Sequence, residues 1–312
     1  MTWRQRLEQA RDSFWILRRW YRAATADSPP PDLTGLAAQL RRRALHLGLV
    51  DVGCRWGFDP RWSAFAELVE RTGFDPDEDE CRRLAAAAEP SSRARYLPIA
   101  LGDRAGTRRL HVTRQPACSS FYRPSAFLVE NAPALAAARV VREVEVSVER
   151  LDDVVAAHRL PRTDYLKVDV QGAELDVLAG AEATLSRVRF CDLEVEFNPI
   201  YDGQPLFGDV DSFLRRRGFV LWRLSDCTHY GLAGDPANVR RQERWVYDSG
   251  PVGAPGGGGQ LFWAMATYVR AEAARGEWEP RAESALLDAA IAGALGFPDL
   301  SARAALAAGA GR

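Results

Sequence analysis

Two kinds of hydrophobic spacing run along this chain. Between residues 47 and 224, short apolar runs of strand length alternate with stretches of helical period, the pattern of an α/β domain with a mostly parallel sheet and helices on both faces. Strands are expected over 49–53, up to Gly73-Phe74-Asp75, and over 95–100, 165–170, 190–197, 219–224 and 261–269. Two further β-like pieces, 108–113 and 141–148, flank a polar loop at 115–124. In the second, Val144, Val146 and Val148 alternate with Glu143, Glu145 and Ser147. Helices are expected over 61–71, from Pro76 to about 88, and over 151–158, 173–185 and 210–217. Asp59-Pro60 offers an N-cap and a first-turn proline to the first of these, and Asp77 to Glu80 place acids at the positive end of the second.

The flanks read differently. Trp3, Leu7, Ala10, Phe14, Leu17 and Tyr21 line one face of an amphipathic helix, which Ser28-Pro29-Pro30-Pro31 ends. A glycine-rich stretch covers 249–259, and the Ala-rich residues 271–312 are helical with a break at Gly296-Phe297-Pro298. The expected organisation is an N-terminal amphipathic helix and Pro-rich linker over 1–30, a main domain over 31–270 and a C-terminal helical extension over 271–312. The first helix is expected to pack on its own domain or on a second copy rather than on a membrane surface, for which it has few basic residues, so a homodimer through the terminal helices is compatible with the pattern.

Composition narrows the partners. A formal net charge of −1 generates no field that would draw the protein to nucleic acid or an anionic membrane. Five scattered cysteines without a CxxC pair argue against a disulfide framework and a zinc site, and fit a reducing cytoplasm. No apolar run is long enough to span a bilayer, and the start of the chain lacks signal-peptide character. Lys167 is the only lysine.

The chemistry gathers at expected strand ends, where open parallel sheets bind ligands. Asp51-x-Gly53-x-x-x-Gly57 allows a sharp turn and close backbone approach, but it is not the G-x-G-x-x-G of a dinucleotide site. An acid and two glycines suit a zwitterionic amino-acid group, and S-adenosylmethionine carries one. Asp75 is placed to accept hydrogen bonds from a ribose diol, Leu101 to lie against adenine, and Asp103 to meet its polar edge. In Leu166-Lys167-Val168-Asp169-Val170, strand alternation puts Lys167 and Asp169 on one face. Glu194 and Glu196 also share a face and are costly to bury unless a polar cleft receives them. Asp169 or Glu196 is the candidate general base, with Lys167 positioning the acid or the substrate oxygen. His229 and Tyr201 are second choices. An ion pair between Lys167 and a neighbouring acid is the alternative reading of that lysine. Asp169, Glu196 and Asn198 would also suit a hard cation, but acids beside a sulfonium need no ion, and no metal is assigned.

These segments carry a resemblance. Asp51-Val52-Gly53, Phe74-Asp75-Pro76-Asp77, Ala100-Leu101-Gly102-Asp103, Ser119-Ser120-Phe121-Tyr122, the run from Leu166 to Glu174, and Leu193 to Phe197 together resemble the FkbM family of methyltransferases over roughly residues 47–224. The resemblance implies a class I, Rossmann-like fold with a mostly parallel seven-stranded sheet. It also implies S-adenosylmethionine as cofactor, and O-methylation of a small-molecule or glycan hydroxyl. Cys54-Arg55-Trp56 departs from the small or aliphatic residues usual there. Bulk at that point suggests the competing reading, an inactive scaffold or binding protein with a filled pocket. A nicotinamide-dependent oxidoreductase is disfavoured by the missing third glycine and the lack of a Tyr-x-x-x-Lys pair.

Overall fold

The structure is a computed structural model that describes residues 33–89, 92–234, 239–242 and 259–310. The expected helix at 3–22, the proline break and most of the glycine-rich stretch lie outside the described residues. The strands in chain order are β1 (Leu47–Val52), β2 (Val69–Phe74), β3 (Ala94–Leu97), β4 (Ala100–Leu101), β5 (Gly106–Thr113), β6 (Val140–Glu149), β7 (Tyr165–Val168), β8 (Phe190–Glu196), β9 (Phe219–Tyr230), β10 (Val239–Gln242) and β11 (Gln260–Arg270).

The main sheet has the order β10-β9-β11-β8-β7-β1-β2-β3. From β8 to β3 the strands run parallel, and β11 lies antiparallel between β8 and β9. Strand direction therefore reverses beside β8, while the chain order reverses between β1 and β7, which opens a crevice at the carboxyl ends of those central strands. Every residue of β1 and β8 is buried, because helices cover both faces of a parallel sheet. Without β10, which adds an antiparallel edge to β9, the sheet has the expected seven strands. The β-like pieces form a second, small sheet of order β4-β6-β5.

Three elements differ from the sequence reading, each for a local reason. The first expected helix is a 3-10 segment, Pro60–Leu68, capped as predicted by Asp59, which accepts from the Arg61 amide at 2.9 Å. It ends early because Val69 to Phe74 pair along β1, a tertiary demand that overrides helical period. The third strand splits at Pro98, whose missing N–H interrupts the ladder. Ala100 and Leu101 then pair with β6 instead. The helix expected over 173–185 becomes Glu174–Ala179 and Glu182–Leu185, because Gly180 passes so close to the Gly102 carbonyl that a Cβ would sit 2.0 Å from its oxygen.

Past β11 the chain forms the helices Ala271–Arg275, Glu283–Ala294 and Pro298–Ala307. Glu283–Ala294 is buried on nearly every side, sharing a core with Leu40, Leu47, Phe65, Phe190 and Leu300. It is thus an inner layer of its own domain. Its one acid there, Asp288, is fully buried and forms a bidentate pair with Arg189, and Trp278 donates to the same carboxylate at 2.7 Å. Asp288→Ala leaves the Arg189 guanidinium unpaired, so urea unfolding should show a loss of about 3–5 kcal/mol. A loss below about 1 kcal/mol would mean that the clasp contributes little.

Candidate functional site

The register of the sheet builds the centre of the site. Asp51 lies opposite Lys167 in the β1–β7 ladder, so the two side chains rise side by side on one face. Lys167 Nζ is 3.2 Å from Asp51 Oδ1 and 3.4 Å from Asp169 Oδ2. Asp51 is buried and Lys167 nearly so, whereas a third of the Asp169 side chain (33%) is open to solvent.

The loop after β1 is held against that centre. Gly53 has φ +85°, and a Cβ there would lie 1.9 Å from the Asp169 carbonyl oxygen. The glycine is therefore required by close contact between two strand ends, whatever a ligand demands in addition. Gly57, at φ +78°, closes a turn in which its amide donates to Cys54 O at 2.7 Å.

The three bulky residues between these glycines take separate directions. Cys54 is buried over Gly73, where even a methyl group would come 2.7 Å from its sulfur. Trp56 is 49% exposed. Arg55 reaches the end of β2, pairing with Asp77 at 2.9 Å and lying 3.7 Å from Asp75.

Asp75 itself is buried, and its Oδ1 accepts the Asp77 amide at 2.9 Å. Burial pushes its carboxyl up, against the pull of that amide and of Arg55. The hydrogen bond from Asp77 and the approach of Arg55 both fall on Oδ1, which leaves Oδ2 as an acceptor of the kind that a ribose diol would meet. Leu101 is buried in the core cluster beneath the site with Val50, Phe74 and Val168. Asp103 sits in the turn after β4, half-exposed and 3.9 Å from Arg104. On the evidence of Asp75, Gly53 and Asp51, the residues present fit S-adenosylmethionine.

A second group of acids lies behind Asp169. Glu174, Glu194 and Glu196 are all buried, with one oxygen from each within 4.8 Å of the others. That spacing suits a divalent cation, but these oxygens are largely engaged. Glu174 accepts the Val170 and Gly172 amides at 2.8 and 2.9 Å, clasping the loop after β7, and Glu194 accepts from Gln171 Nε2. Asn198 turns away to donate to Leu261 O at 2.7 Å. Burial and mutual repulsion hold Glu174 and Glu194 well above the usual carboxylate range. Burial also pushes Glu196 up to about 8, with Asp169 adding to the effect and the adjacent Gln204 amide working against it.

A residue that the sequence reading passed over sits at the centre of this group. Gln171 adopts φ +59°, and its Nε2 lies 3.3 Å from Asp169 Oδ1 as well as against Glu194. Its Oε1 is 2.7 Å from the Tyr201 hydroxyl, and Ser120 Oγ donates to its backbone carbonyl at 2.6 Å. The 115–124 loop thus docks on the strand ends, and Tyr122 and Arg108 tie it to Asp176. Tyr201, proposed as a reserve base, is buried, and burial with the nearby acids holds its phenol far above its ordinary range, which disfavours that use. His229 lies in the β9–β10 hairpin opposite Arg240, away from these contacts.

This strand order, with acids gathered at its carboxyl edge, is that of a class I methyltransferase fold. The comparisons agree: residues 57–221, just over half of the chain, match the Methyltransferase FkbM domain, and the chain belongs to the FkbM methyltransferase family. It works with S-adenosylmethionine. Among curated relatives, 2-O-methyltransferase NoeI of Sinorhizobium fredii is 31% identical over 170 residues, which are 52% of this chain and 69% of NoeI. The 31-O-demethyl-FK506 methyltransferase FkbM of Streptomyces tacrolimicus is 39% identical over 80 residues, 25% of this chain and 29% of that one. A solved FkbM methyltransferase from Methylobacillus flagellatus aligns over 75% of this chain and 47% of its own, at 14% identity and a TM-score of 0.36, too low to add to the argument.

The raised Glu196 has a consequence for stability. In the unfolded chain its proton leaves near the ordinary 4.5, whereas in the fold it stays until about 8, so stability from this group falls as pH rises across that window. Glu196→Gln should flatten the decline in urea-unfolding stability between pH 5 and pH 8, roughly the interval between the two values. An unchanged slope would show that Glu196 does not hold the proton.

Proposed function

We propose that this methyltransferase acts on a hydroxyl group of a sugar, a glycan or another natural product, in the cytoplasm, with Asp169 as general base. Both curated relatives are named for methylation at oxygen. All five cysteines are free, which suits a reducing compartment.

The observation that carries the reading is the exposure of Asp169 in the middle of buried acids. Glu194 and Glu196 are 8% and 2% exposed, so an acceptor hydroxyl meets Asp169 first. The cofactor supplies an electrophilic methyl group. An alcohol becomes a competent nucleophile as its proton leaves, and Asp169, an acceptor-only carboxylate at the cleft, takes it. Lys167 bridges Asp51 and Asp169 and fixes the height of both carboxylates at the strand ends. Asp51, the Gly53–Gly57 turn and Asp75 hold the cofactor. Leu101 supports that wall from below, and Asp103 stands at its rim. Glu196, chosen from sequence as an equal candidate for the base, serves as a buried proton store behind Asp169. No helix among the described residues is long and apolar enough to cross a membrane, and the acceptor is a small molecule or an exposed glycan.

Release of S-adenosylhomocysteine over a panel of hydroxylated sugars and macrocyclic alcohols tests this. At least one acceptor should turn over, and Asp169→Asn should cut kcat by about 100-fold or more while cofactor affinity holds. Methylation confined to amines or thiols, or an Asp169→Asn enzyme with normal turnover, would contradict the assignment.

A further inference from the structure

We propose that Gln171 is a positioning residue for the base. Its amide, oriented by the Tyr201 hydroxyl, ties Asp169 to Glu194 across the ends of β7 and β8 and fixes the direction in which Asp169 faces the cleft. The inference rests on Asp169 being the base, as above.

The orientation of the amide follows from chemistry. Two acid oxygens flank one end of the side chain: Asp169 Oδ1 at 3.3 Å, on a carboxylate whose other oxygen accepts from Lys167, and Glu194 Oε2, the oxygen through which a protonated Glu194 still accepts. That end is therefore NH2, and the other is a carbonyl. The Tyr201 hydroxyl has a single proton and two acceptors within reach, Gln171 Oε1 at 2.7 Å and Cys118 O at 3.1 Å. The amide end of Gln171 is fixed, so a lone pair from Tyr201 against Oε1 would be repulsive, and the proton goes to Gln171. Tyr201 thereby locks the amide against a flip that would turn an oxygen onto two acids.

The backbone is equally constrained. Gln171 occupies the left-handed region at φ +59°, unusual for a residue with a Cβ and worth about 1–3 kcal/mol of strain. Ser120 anchors its carbonyl, and Glu174 takes the amides on either side of it, at Val170 and Gly172. These contacts hold the strained residue in place with its side chain between the acids. A glycine or asparagine would relieve the backbone but could not span from Tyr201 to both carboxylates. Lys167 meets Asp169 through Oδ2 and Gln171 through Oδ1. With one donor on each oxygen, the carboxylate cannot rotate freely, and its remaining lone pairs point at the cleft.

The test uses the isosteric Gln171→Met, Tyr201→Phe, their combination and Asp169→Asn, with turnover on the best acceptor and cofactor binding by calorimetry. Gln171→Met should lower kcat by about 10- to 100-fold, the cost of a base displaced on the ångström scale, with acceptor KM and cofactor affinity within about twofold. Tyr201→Phe should cost less, about 3- to 10-fold, and should add nothing in the Gln171→Met background, because the hydroxyl acts only through the amide. A merely structural role would lower thermal stability without this split and this non-additivity. Wild-type kcat in Gln171→Met, or losses that multiply in the double variant, would overturn the inference. If Gln171→Met fails to fold, unchanged kcat in Tyr201→Phe overturns it. Normal turnover in Asp169→Asn would instead remove the base assignment itself, whatever Gln171 does.

Discussion

The site depends on one buried ion pair set by strand register. Asp51 and Lys167 are partners in the β1–β7 ladder, so the sheet cannot form without bringing their charges together. Each would be costly to bury alone, and removing one partner of such a pair costs several times what the pair contributes. Lys167, the one lysine in the chain, also reaches Asp169. A single cation thus couples the strand that leads into the Gly53–Gly57 turn to the strand that carries the proposed base. Gly53 completes the coupling through its close contact with the Asp169 carbonyl.

Around that pair the protein gathers buried acids and satisfies each of them locally. Glu174 is matched by the two amides that it clasps, Glu194 by Gln171, and Glu196 by retaining its proton up to about 8. The acids left at the strand ends, Asp51, Asp75 and Asp169, are acceptors suited to a ligand with positive charge and hydrogen-bond donors, and S-adenosylmethionine offers a sulfonium, an ammonium and a ribose diol.

Much of this was legible in the chain. Alternating apolar segments gave the α/β sheet, and the acids at strand ends gave Asp51, Asp75 and Asp169, because strand period is short and local. The early end of the first helix was hidden, since the pairing of Val69 to Phe74 with β1 is a long-range demand. Leu101 was expected against the adenine from its position alone, and its place in the core cluster under the site is a long-range packing feature that position does not reveal. Gln171 stood in plain view within Val170-Gln171-Gly172, yet nothing in strand or helix period marks a residue in the left-handed region. The only hint was its place one residue before a glycine at a strand end. Tyr201 was noticed as a reserve base, and nothing in the chain pointed to its buried hydroxyl reaching Gln171. Cys54-Arg55-Trp56, which could have filled the pocket, divides between the core, the end of β2 and solvent.

A calorimetric titration of S-adenosylmethionine into the wild-type protein and into Asp75→Ala tests the central claim most directly. The account predicts a wild-type Kd on the order of micromolar, with binding at least about tenfold weaker once the Asp75 carboxylate, proposed to hold the ribose, is gone. No heat of binding to the wild-type protein, or equal affinity in the two, would contradict it.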